Sequence, residues 1–207
     1  MFQPFLIMGM VCVAGFFSSP AGWTQPVELG AGSAEFSARL IWKHDGRKAK
    51  AQLFVKQDRY RIEHMGGVKT ELGYAGVTIV RLDEQKVWYV LSERRMVVSV
   101  PLTSDYLLPF AVTLDGETRR TLVGDSKVND DAALLYDVET QDRFGNTEKY
   151  FEWVDPDRQI LLKLVSQDRD WFVQYEHVVV SPQPEFYFEI PLGYRKIEAQ
   201  EAPSPNG

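Results

Sequence analysis

From Glu35 onward the chain alternates apolar and polar positions. In Glu35 to Lys43, Phe36, Ala38, Leu40 and Trp42 fall on one face, with Ser37 and Arg39 on the other. Arg47 to Val55 repeats the pattern, with Ala49, Ala51, Leu53 and Val55 inward against Lys48, Lys50 and Gln52. Asp58 to Met65 sets Tyr60, Ile62 and His64 against Arg59, Arg61 and Glu63. A period of two is the signal of a strand, and a polar second face predicts a one-sided antiparallel sheet.

Gly66-Gly67 opens a predicted loop, after which Val77 to Leu82, Lys86 to Leu91 and Arg95 to Leu102 read as strands. Val87, Trp88, Tyr89, Val90 and Leu91 run together, so these strands are apolar on both faces. Something must cover their second face, or it lines a cavity. Ser104 to Leu114 is the best helix candidate, capped by Ser104, split by Pro109 and placed to lie across the sheet as a lid. Arg119 to Lys127 and Ala132 to Thr140 resume the strand pattern, with Leu134, Tyr136 and Val138 inward.

The stretch from Thr147 to Tyr194 organises the rest. Glu148 to Val154 is a strand broken by Asp155-Pro156-Asp157, since proline suits a tight turn. Gln159 to Ser166 and Trp171 to Val180 follow at once, separated by Gln167-Asp168-Arg169-Asp170. Short turns between long strands predict antiparallel neighbours. Phe186 to Pro191 reads as a last extended piece. The predicted fold is mainly β, a strongly curved antiparallel sheet or half-open β-barrel of about eleven strands with one short helix as its lid.

Before Glu28 there is no charged side chain, and Phe5 to Phe17 is nearly all apolar. Small residues follow, with Ser19 and Ala21 at the −3 and −1 positions of a peptidase site. This predicts a secretory signal over residues 1–21, since the apolar run is shorter than a spanning helix needs. The expected order is then a leader (22–34), one β domain (35–197) and a polar, disordered tail (198–207). Cys12, the sole cysteine, lies within the apolar run, which predicts an exported chain that matures without a thiol.

The net charge of −6, without a basic run, argues against nucleic acid as a partner. Catalysis finds no support either. His44, His64 and His177 lack metal-ligand spacing, no phosphate loop or nucleophile motif occurs, and Asp155 and Asp157 read as turn residues. No catalytic residue, metal or cofactor is therefore expected. The informative feature is an aromatic content of 13% on strands with apolar residues on both faces. Trp42, Phe54, Tyr60, Trp88, Tyr89, Tyr136, Phe151, Trp153, Leu162 and Trp171, with Leu107 and Phe110 from the lid, are the candidates to line an apolar binding cavity.

One set of residues resembles a known group. Glu152, Trp153, Val154, Asp155 and Pro156, then Lys163, then Phe188, Ile190, Pro191, Gly193 and Tyr194 resemble the periplasmic lipoprotein-carrier superfamily. That superfamily comprises LolA/LolB-like proteins and their RseB-like and outer-membrane lipoprotein-sorting relatives. The resemblance implies an incomplete barrel closed by helices, whose cavity shelters acyl chains in the periplasm. It implies a lipid or acylated lipoprotein as ligand, and membrane-associated envelope proteins as further partners. The RseB-like relatives imply an alternative, a sensor module that holds a partner polypeptide.

Overall fold

A computed structural model describes residues 35–44 and 46–199. The expected signal segment, the leader and the tail from residue 200 lie outside the described residues. Among the described residues twelve strands form one sheet: β1 (Phe36–His44), β2 (Arg47–Lys56), β3 (Arg59–Thr70), β4 (Gly73–Arg81), β5 (Lys86–Leu91), β6 (Met96–Pro101), β7 (Glu117–Val128), β8 (Asp131–Gln141), β9 (Thr147–Val154), β10 (Leu161–Ser166), β11 (Trp171–Val180) and β12 (Arg195–Glu198). Their order is β12-β6-β5-β4-β3-β2-β1-β11-β10-β9-β8-β7. Two antiparallel meanders, β1 to β6 and β7 to β11, are thus stitched together where β1 pairs with β11, with Leu40 opposite Tyr175. The short turns after β9 and β10 do produce antiparallel neighbours.

The alternation read from the sequence assigns the two faces. Cross-strand pairs Leu40–Ala51, Leu53–Ile62, Tyr60–Val80 and Val80–Val87 share one face, as do Leu40–Tyr175 and Tyr136–Glu152. This inner face carries the main core, which draws on both meanders and includes Leu40, Leu53, Tyr60, Val87, Val138, Leu164 and Tyr175.

A strap, residues 102–114, lies over it. Its Tyr106 reaches β5, and Arg120 of β7 reaches its Val112. Those strands are nine positions apart, which a flat sheet would separate by ~43 Å. The chain from Tyr106 to Val112 spans at most ~21 Å. The sheet curls around the strap, and its inner face is concave. β7 and β12 are not paired with each other, so the barrel stays open.

The outer face of the central strands is covered by residues 183–194. Tyr187 packs edge-on against Phe54 with ring centroids 4.9 Å apart, and Phe188 is fully buried beneath Arg59. Ile190 and Tyr194 pack on Ile79, Trp88, Val90 and Val97. This is why strand β5 is apolar on both sides.

Five expectations are corrected. The lid is no helix. A single 3-10 turn, Ser104–Tyr106, gives way to extended backbone before Pro109, and Ser104 makes no capping bond. Gly66-Gly67 lies within β3 as a wide bulge between Glu63 and Val68, both glycines taking positive φ. Phe186 to Pro191 is not a strand but contains most of a 3-10 turn, Glu185–Phe188. The twelfth strand comes later and runs parallel to β6, with Arg195 opposite Met96. It takes in Glu198, and Ala199 N–H donates to Ser99 O at 2.8 Å, so ordered backbone extends into the expected tail.

Candidate ligand-binding face

The concave face owes its lining to β-alternation, and its cover to three tyrosines. Tyr60 and Tyr175 are fully buried because their strands point them inward, which leaves each hydroxyl in need of a partner. Tyr60 donates to Tyr106 O, and Tyr175 donates to Pro109 O at 2.6 Å. Tyr89 meets the Tyr106 hydroxyl at 2.5 Å. Burial pushes all three phenols well up, so they remain protonated donors. Phe110 seals the centre. It packs against Phe36, Tyr60 and Tyr175 with ring centroids 5.9, 5.3 and 5.7 Å away.

The strap's far end is held by charge. Arg120 donates to Val112 O and to Glu117 Oε1 at 2.9 Å, while Leu114 N–H donates to Glu117 Oε2 at 3.2 Å. Arg120 also lies 2.6 Å from Glu152, whose carboxylate is wholly buried on the concave face. No hydrogen bond of good alignment reaches that carboxylate from the described residues. Burial raises Glu152 to about 7, against the opposing pull of Arg120. Gly116 closes the strap, because a Cβ there would meet Gln141 O at 2.4 Å.

At the other end of the face, β2 and β3 part company. Their last pair is Ala51–His64, and beyond it a cavity of about 470 Å³ opens between Lys48, Ala49 and Lys50 on one side and Met65, Gly67 and Val68 on the other. Trp42 and His64 form its floor, ring to ring at 6.2 Å. His64 Nε2 lies 2.8 Å from Thr78 Oγ1, and burial lowers its pKa to about 4, so the ring is neutral.

The twelve sequence candidates divide. Trp42, Tyr60, Tyr89, Tyr136 and Trp171 lie on the concave face, and Leu162 is fully buried in its core. Leu107 and Phe110 reach that core from the strap. The other four do not line it. Phe54 and Trp88 lie on the outer face beneath the C-terminal segment. Phe151 and Trp153 lie on the outer face of β9, where Lys163 sits 4.9 Å from the Trp153 ring. Aromatic content does not separate the faces, whereas strand parity does. Parity would also have found Glu152 and Tyr175, which alternate in step with Tyr150 and Val173. Arg120, Glu117 and the β2–β3 cavity depend on contacts distant in sequence.

No known protein-family profile matches the chain, and no curated protein matches it significantly in sequence. Solved structures do match in shape. The MucB crystal structure aligns at a TM-score of 0.52 with 16% identity, covering 77% of this chain and 58% of that one. The chain thus spans under two thirds of MucB. An uncharacterised conserved protein from Thermus thermophilus aligns at 0.48 with 12% identity, covering 81% and 91%. A LolA superfamily protein from Nitrosomonas europaea aligns at 0.34 with 10% identity, covering 77% and 91%. This chain therefore has the fold of MucB, built here as an open, curved half-barrel of strands.

Proposed function

We propose that this chain is an exported, non-enzymatic binding protein of the cell envelope that shelters an acyl chain on its concave face. In this reading residues 1–21 direct export and are removed, and the mature protein works in the periplasm. The strap carries the argument. The concave face is covered by a segment without regular helix or strand beyond one 3-10 turn, whose Leu107, Leu108, Phe110 and Leu114 pack on the core as an apolar ligand would. A few polar contacts hold it, and these can be exchanged for water.

An acyl chain gains about 0.8 kcal/mol per buried CH₂, so a long one supplies on the order of 10 kcal/mol towards displacing the strap. The test is native mass spectrometry of the mature protein purified from its own envelope, followed by organic extraction. A bound lipid or acylated peptide is expected. An empty protein that also fails to bind dodecanol would overturn the reading.

A second reading, a module that holds a partner polypeptide, draws on the edge of β7 that no strand among the described residues pairs. This strand runs twelve residues from Glu117 to Val128 and exposes Leu122 and Val123. Such an edge can accept an added strand. MucB has been crystallised in complex with MucA(peri). Protection of β7 amides by an envelope polypeptide, with the strap unmoved, would favour this reading.

A further inference from the structure

The cavity between β2 and β3 is lined by residues from both faces of the sheet. Past the Ala51–His64 pair, β2 continues beside β1 alone, while β3 swings away through its glycines and resumes pairing with β4 at Val68–Ala75. Trp42, Ala49 and His64 look into the gap from the concave side. Lys48 and Lys50 occupy the opposite parity, and Lys48 sits 5.8 Å from the ring of Phe172 on the outer face. A cavity of about 470 Å³ is of the size that takes an organic ligand.

Its chemistry is two-ended. The wall is apolar, formed by Trp42, Met65 and Val68, and Met65 is 73% exposed. His64 adds an uncharged ring held by Thr78. At the outer rim, Lys48 and Lys50 are both exposed and have no ion-pair partner among the described residues, in a chain of net charge −6. Burial, and after it the nearby Lys48, push Lys163 down.

We propose that this opening seats the head of a single-chain anionic amphiphile. Its carboxylate or phosphate meets Lys48 and Lys50, and its chain passes Trp42 and Met65 towards the concave face. The inference rests on the acyl-binding reading and adds the class and polarity of the ligand. An apolar wall and a cationic rim form a site for an anionic head and reject a cationic one.

The experiment compares four probes of equal chain length on the mature protein by calorimetry: dodecanoate, dodecyl phosphate, dodecanol and dodecyltrimethylammonium, with inorganic phosphate as a competitor. The anionic probes are expected to bind at least ten-fold more tightly than dodecanol, and the cationic probe more weakly. In a Lys48→Ala/Lys50→Ala variant, at two exposed positions, that preference is expected to vanish while dodecanol affinity holds. Met65→Gln is expected to weaken all chain-bearing probes several-fold.

Dodecanol binding without an anionic preference, or a preference that survives the double variant, would overturn the headgroup site and leave the acyl-binding reading standing. No binding of any chain-bearing probe would overturn both. Competition by inorganic phosphate against dodecyl phosphate, with dodecanol displaced by neither, would mark a free-anion site and also overturn the proposal.

Discussion

Phe110 is the centre of the strap's grip, and its truncation separates a displaceable cover from a permanent core. Phe110→Ala removes three ring contacts at 5.3 to 5.9 Å from a residue only 9% exposed. Buried Phe→Ala changes cost about 3–5 kcal/mol, part of which is specific to ring packing at about 0.5–1.5 kcal/mol per pair. Taking the lower bound, strap docking weakens by about 3 kcal/mol. Phe110 belongs to the cover and not to the wall, so the concave face itself keeps its apolar residues.

If a ligand must displace the strap, its apparent affinity is reduced by the rarity of the open state. Lowering the opening cost by about 3 kcal/mol then raises affinity about 100-fold, provided the strap is still closed most of the time. The assay is dodecanol binding by calorimetry, run beside urea unfolding on the same samples. The expected pair of results is lower stability with tighter binding. A folded Phe110→Ala protein that binds dodecanol no more tightly than the parent, or more weakly, would refute the reasoning and make the strap part of the core.

Glu152→Gln should change the pH dependence of stability. The folded carboxyl titrates at about 7 against 4.5 when unfolded, so its contribution is full below pH 4.5 and is lost as pH rises through 7. The parent should lose on the order of 3 kcal/mol relative to the variant across that window, measured by urea unfolding at steps of pH. His64→Asn tests the opposite sign. A folded pKa of about 4 against 6.5 penalises the native state as pH falls between those values, by on the order of 2 kcal/mol allowing for the ring's partial exposure, and the variant should lose that acid sensitivity. Gly116→Ala should cost more than about 2 kcal/mol in thermal or chemical unfolding, since it combines a positive φ with a Cβ placed against Gln141 O. Asp155→Ala should cost about 2–4 kcal/mol, because Asp155 accepts from the Asp157 and Arg158 amides at 2.9 and 2.8 Å and holds the Arg158 guanidinium.

Much of this fold can be read from period-two alternation, because each strand's parity is local information. Phe36 to Trp42, Ala49 to Val55 and Leu134 to Val138 all point as their spacing implies. The doubly apolar run Val87 to Leu91 also announces a second cover, though not that residues 183–194 provide it. The strap misleads because Ser104 stands where a cap would and Leu107, Leu108 and Ala111 favour helix, while Tyr60, Tyr175 and Arg120 claim its backbone carbonyls and hold it extended. Tertiary hydrogen bonds outweigh local propensity there. Phe54, Trp88, Phe151 and Trp153 show the limit of reasoning from residue type, since an aromatic serves an outer cover as well as an inner wall. The β2–β3 gap arises from a bulge spread over Glu63 to Val68, and glycine pairs in sequence do not distinguish a loop from a bulge.

The central claim is that an acyl ligand takes the strap's place. Hydrogen exchange with mass-spectrometric readout, on the mature protein with and without saturating dodecanoate, tests it most directly. Faster exchange across residues 102–114, with protection of β1, β3 and β11 retained, is the predicted result. Unchanged or slower exchange in the strap when the ligand is bound would contradict it.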